Sequence, residues 1–235
     1  MVRLALAIFL MCTPPAVARE VYRGDVLVNV GGADVPLPMV LDVEAPFAAS
    51  DPMIVSILAS AAVLLNPLGV LLEDEVAGMS NACERTVSTT GVDVSMAKNR
   101  LSIGGQLKAV FRICGLVKMD VGQETGDVRL AVAPGVTEGR LTFSLAGCRV
   151  ANLDALAQLF NVEQRLCAKA AAFLVRVSAD PKVVEPPLGL AEIGYRYTGI
   201  QMFQAGRHAF LIGELQGPND MFALVDFLSA VRDAE

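Results

Sequence analysis

The chain has 235 residues, 54% of them hydrophobic, with a mean hydropathy of +0.51 and a formal net charge of −6. No cluster of bases interrupts the acidic balance, which argues against nucleic acid as a partner and against strong attraction to anionic membrane surfaces. So apolar a chain must bury its surface in a large core, line a cavity with it, or set it against lipid.

Residues 1–18 read as a secretory signal peptide. Arg3 supplies the positive region, Leu4 to Met11 a short apolar stretch, Pro14 and Pro15 a break, and Ala16-Val17-Ala18 a small-residue cleavage pattern before Arg19. Cys12 raises the alternative of a lipoprotein signal, but Met11 is bulky where that processing wants a small residue. Cleavage after Ala18 leaves 235 − 18 = 217 residues with charge 18 − 25 = −7. Residues 19–235 are expected to form a single α+β domain. Arginine outnumbers lysine 14 to 5, compatible with a GC-rich bacterial genome, so the expected compartment is the periplasm, with a fully secreted product as the alternative.

Four cysteines remain in the exported part: Cys83, Cys114, Cys148 and Cys167. An even number in an oxidising compartment reads as disulfides. Of the three pairings, Cys83–Cys114 with Cys148–Cys167 is expected, since the second closes a short strand-to-helix loop. A four-cysteine zinc site is the rival, but the spacings are wide and no C-x-x-C pair occurs.

Along the exported part, Val26, Val28 and Val30 alternate as in a strand, and Gly31 to Asp34 signal a turn. A second strand runs from Leu37 to Val43, with Pro36 and Pro38 placing it at an edge. From Pro52 to Leu72 there are 21 residues without a charge. The length suits a membrane span, but Asn66-Pro67 and Gly69 break the run and acidic groups flank it. A buried helix over about 52–65 and a second short one are expected, with Ser50-Asp51-Pro52 as the start. Residues 86–150 alternate apolar and polar, which predicts an antiparallel meander covered on one side only. Its turns fall at Ala97-Lys98-Asn99 and Pro134-Gly135, with a bulge at Gly104-Gly105. A helix capped by Asn152 follows, carrying Leu153, Leu156, Leu159 and Phe160 and continuing to Leu174. After a Pro-rich crossing come a hairpin turning at Ala205-Gly206 and a terminal amphipathic helix with Phe222, Val225, Leu228 and Val231. The fold class is therefore α+β, an antiparallel one-sided meander curled around or packed on apolar helices.

Chemistry is sparse. His208 is the single histidine, it follows a hairpin turn, and no G-x-S-x-G elbow accompanies it. Glu73-Asp74-Glu75 lacks a loop of alternating oxygen ligands and reads as a solvated helix end. No phosphate-binding glycine fingerprint occurs. Tyr195 and Tyr197 share a strand face and read as packing. No enzymatic activity, metal or cofactor is expected.

The segments "NRLSIGGQLKAVFRICG" and "GRLTFSLAGCRV", the helix from Asn152 to Val177, the Pro-rich crossing and the hairpin "IGYRYTGIQMFQAGRHAFLIGEL" together span about 115 of the 217 residues. In this order they resemble the tubular lipid-binding superfamily, which includes the bactericidal/permeability-increasing protein. The resemblance implies amphipathic strands curled around a long apolar helix to make a tube for lipid tails. The residues alone lean the same way, since a one-sided apolar sheet and an apolar helix can enclose a dry pocket. A carrier of an apolar small molecule or lipid is expected to line that pocket with Ile57, Leu64, Phe111, Ile113, Leu141 and Phe143. The alternative is a non-enzymatic structural or protein-interaction component of the cell envelope that uses an exposed apolar patch, and contact of residues 52–72 with a membrane stays open.

Overall fold

The computed structural model describes residues 19–30, 33–44, 46, 48, 50–78, 80–81, 85–97, 99–114, 118–152, 161–206 and 208–234. The expected signal peptide, Cys83 and the stretch from Leu153 to Phe160 lie outside them.

Period-two hydrophobicity builds two antiparallel sheets, and the α+β class holds. In the first, β1 (Arg19–Val30) and β2 (Ala33–Glu44) form a hairpin that continues to β3 (Met53–Ser60). The last hairpin, β8 (Arg196–Ala205) and β9 (His208–Gly217), closes the order β1-β2-β3-β9-β8. Leu37, Met39, Leu41 and Val43 of β2 and Met53, Val55, Ile57 and Ala59 of β3 are all buried on one face. Pro36 and Pro38 pair with β1, while β3 reaches β2 only from Met39 onward. The prolines thus occupy a locally unpaired edge of an interior strand, where a missing N–H costs no ladder bond.

The helix expected over 52–65 is instead β3 followed by α1 (Ala62–Ala77). An uncharged apolar run has no polar face to reveal its period. Here β-branched Ile54, Val55 and Ile57 favour the strand, and burial alternates strictly along it. Asp51 starts no helix: it closes a turn, its carboxylate accepting from Ala48 N at 3.0 Å. Helix α1 also runs through Asn66-Pro67 without ending. At Gly69 it lies close on the following strand, where an added Cβ would meet Val92 and Val94 at 3.6 and 3.8 Å. Among the described residues no helix is long and apolar enough to cross a membrane.

The second sheet is the expected meander, in the order β4 (Arg85–Ala97), β5 (Arg100–Cys114), β6 (Lys118–Thr137) and β7 (Arg140–Ala151). Pro134-Gly135 is not its turn; both lie inside β6, paired with Phe143 and Thr142. Pairing of β5 with β6 ends at Val132, so Pro134 again sits where one side of the strand is unpartnered. The turn falls at Glu138-Gly139, both at positive φ (52° and 76°), the conformation a tight hairpin needs. The bulge opposite Gly105 has its extra residue on β4, next to Gly91 at φ 63°.

Helix α2 (Val162–Ala179) buries Val162, Leu166 and Leu174 and packs along β7, to which Cys148–Cys167 ties it. The helix start expected after Asn152 falls on residues outside those described; the Asn152 amide itself donates to Asp127 at 2.6 Å. A short α3 (Pro181–Val184), capped by the Asp180 carboxylate, leads into the crossing. The last helix, α4 (Met221–Ala234), is N-capped by Asp220, which accepts from Ala223 N at 2.9 Å. It buries Leu224 and Leu228, whereas Phe222 and Val225, expected on its apolar face, point to solvent.

Two cores result. One lies on the first sheet with Leu190, Leu224 and Leu228; the other lies on the second sheet with Val76 of α1 and the buried residues of α2. A small cluster of Ala61, Met96, Met202 and Ala209 joins them. Turns of the second sheet also serve amides of β8: Met202 N donates to Asn99 Oδ1 at 2.7 Å and Tyr197 N to Gly139 O at 3.0 Å.

Candidate ligand-binding face

The strand register lays out the core-facing side of the second sheet row by row. Val94, Ile103, Leu130 and Cys148 form one row across all four strands. Thr89, Leu107 and Gly126 form another, then Val87, Ala109 and Glu124, then Phe111 and Gly122. Helix α1 packs along β4 and α2 along β7, so the two helices flank the central strands. Within this face Glu124 is a buried carboxylate, and the Thr89 hydroxyl is buried with no hydrogen-bond partner among the described residues.

The apolar row of β5 does not stop where the core closes. Phe111 is fully buried, but Ile113, the next residue on the same side, is 58% exposed. Its cross-strand partner Met119 is 59% exposed, and Val121, the extra residue at the adjoining irregularity of β6, is 46% exposed. Ile113 and Met119, paired across the strands and both exposed, form an apolar ledge near the end of the β5–β6 pair where Cys114 faces Lys118.

The expected lining residues are divided between the two cores. Ile57 and Leu141 belong to the first core and Phe111 to the second, while Phe143 is partly buried and packs against both. Ile113 stands on the ledge, and the Leu64 side chain lies outside the described residues. The five that are described do not meet in one cluster, because β3 is a strand of the first sheet and not a helix laid over the second. Met119 was not identified from the sequence. Its alternation with Lys118 and Asp120 is the signal that could have found it.

The disulfide Cys148–Cys167 is present, with a Cα–Cα distance of 5.7 Å. Cys114 is disulfide-bonded as well. His208 is exposed at the tip of the β8–β9 hairpin, its ring 6.2 Å from that of Phe210. Glu75 of the acidic helix end accepts from Arg176 of α2 at 2.7 Å, which links the two flanking helices. Tyr195 and Tyr197 are packing residues of the first core. The Tyr195 hydroxyl lies 3.3 Å from both Met53 Sδ and Pro218 O. Burial raises the pKa of each phenol, with the Asp220 charge adding to it at Tyr195. A polar recess of about 180 Å³ lies beside the β6–β7 turn, where Arg140 and Glu185 pair at 3.0 Å.

No family model and no curated protein matches the chain. Among solved structures, a crystal structure of lipopolysaccharide binding protein is similar, with a TM-score of 0.38 and 8% identity over 76% of this chain and 44% of that one. The chain thus spans less than half the length of the structure it resembles, and a likeness of this degree says nothing about ligand or mechanism.

Proposed function

We propose that the protein is an exported, non-enzymatic binder of an apolar molecule or lipid chain, taken up along the helix-flanked face of the second sheet. The observation that carries this reading is the unbroken apolar row from Phe111, fully buried, to Ile113 and Met119, both exposed. An acyl chain laid on the ledge continues the core outward without burying an unpaired polar group, which is the main cost an apolar site must avoid. The Cys148–Cys167 disulfide supports an oxidising compartment, periplasmic or extracellular.

Native mass spectrometry of the exported protein, purified without detergent, tests the reading. A discrete added mass that organic extraction identifies as lipid, lost in Ile113→Ser/Met119→Ser, is the expected result. A bare mass that stays bare after incubation with a lipid extract overturns it. The same ledge would then serve a protein partner of the envelope.

A further inference from the structure

The opposite face of the second sheet carries an arrangement that apolar binding does not use. Arg129 of β6 and Arg149 of β7 stand directly opposite each other in the strand register, and both are exposed. Like charges placed opposite each other destabilise a sheet. Among the described residues, neither guanidinium has an ion-pair or hydrogen-bond partner.

Their surroundings are low and open. Gly104 of β5 lies beside Arg129, and a side chain added there would meet nothing within 4 Å. The next pair along the same face is Ala131 with Gly147. Two carboxylates are near. Asp127 shares the face but accepts the Asn152 amide at 2.6 Å, and Asp93 lies across Gly104 on β4. The two arginines therefore rise above a floor of small residues in a chain of net charge −6, where scattered bases would otherwise find acidic partners.

Two planar guanidinium forks, with Cβ atoms about 5 Å apart across paired strands, suit one oxyanion with three or more acceptor oxygens. Each fork can give two parallel N–H bonds, and the anion removes the repulsion between them. We infer that Arg129 and Arg149 form a binding site for a phosphate group, either free or as the headgroup of a lipid. The site lies on the other side of the sheet from the ledge and stands or falls independently of it.

Calorimetric titration of inorganic phosphate into the full exported chain tests this, against chloride at equal ionic strength. Vesicles of phosphatidylcholine, with and without phosphatidylglycerol, form the second arm. The wild type is expected to bind in at least one arm, and Arg129→Gln or Arg149→Gln to weaken that binding about tenfold or more. Lys169→Gln, on the exposed side of α2, should leave it unchanged. Binding of free phosphate assigns the site to soluble anions, whereas binding of the anionic vesicles alone assigns it to a headgroup. Either supports the site if Arg129→Gln/Arg149→Gln abolishes it while far-UV circular dichroism stays native. Undiminished binding by that double variant overturns the site, as does the absence of binding in both arms.

Discussion

The two sheets are built from similar strands but closed in different ways. In the first, glycine makes room for aromatic rings. A Cβ on Gly217 would lie 2.5 Å from the Tyr195 ring, and one on Gly213 would lie 3.0 Å from Tyr197. Both tyrosines belong to the buried core that also holds residues of β3, β9 and α4. Such an interlock leaves no slack, because close-packed interiors tolerate little change of volume. The second sheet is instead flanked by helices, one of them tied to β7 by a disulfide, and its apolar face runs past the closed core to an exposed end. Rigid closure in one region thus coexists with an exposed apolar surface in the other, and that surface is where the proposed ligand would add to the fold.

The largest expected effect contrasts two neighbours on one face of β5. Phe111→Ala should cost about 3–5 kcal/mol in denaturant unfolding, the usual range for a buried aromatic. Ile113→Ala should cost no more than about 0.5 kcal/mol, as for an exposed site, while reducing lipid capture. Comparable costs at both positions would show that the ledge belongs to the closed core. Next in size is the covalent tie. Cys148→Ser with Cys167→Ser opens a loop of sequence separation 19 and should cost about 3 kcal/mol. Hydrogen exchange should rise first in α2 and β7, with β3 and β9 still protected. Uniform loss of protection would mean that the two cores unfold as one.

Gly217→Ala is the corresponding test for the first sheet. The new methyl meets ring atoms of Tyr195 and should cost about 1–3 kcal/mol, the range for overpacking. In a Tyr195→Ala background the same change should cost little, so the two effects are not additive. Additive losses would place the strain elsewhere, for instance in the backbone conformation of Gly217.

Much of this contrast was legible in the sequence. Alternation gave the strands around Val26, Leu37, the 86–150 meander and the last hairpin, because a sheet with one wet face writes its period into the residues. It failed at Met53–Ser60, where a strand of eight residues and the helix after it share one uncharged run and no polar side betrays the change. It failed again at Pro134-Gly135, which usually marks a turn but here lies in the part of β6 that outruns β5. Of the residues expected to line one pocket, Ile57 and Phe111 belong to different cores because that misread strand took Ile57 into the other sheet. The exposure of Ile113 could not be read at all. It depends on where the cover over the sheet ends, which alternation within one strand does not encode.

The smallest effect concerns pH and separates the cores by composition. The protein's three tyrosines, Tyr22, Tyr195 and Tyr197, all belong to the first core. Burial raises the folded-state pKa of Tyr195 and Tyr197 above that of an unfolded tyrosine, about 10. For a phenol this means that the folded state prefers the neutral form. Its contribution is fully present below about pH 10 and is lost as pH rises through the raised folded value. Stability should therefore fall above pH 10 by at most about 1.4 kcal/mol per pH unit for each such phenol, and less steeply in Tyr197→Phe. Methyl signals of Leu41 and Val55 should lose intensity before those of Leu107 and Leu130 as tyrosinate absorbance appears. If the second core melts first, or Tyr197→Phe leaves the slope unchanged, ionisation of a buried phenol is not what limits the fold at high pH, and the interlock around Gly213 and Gly217 is looser than its geometry implies.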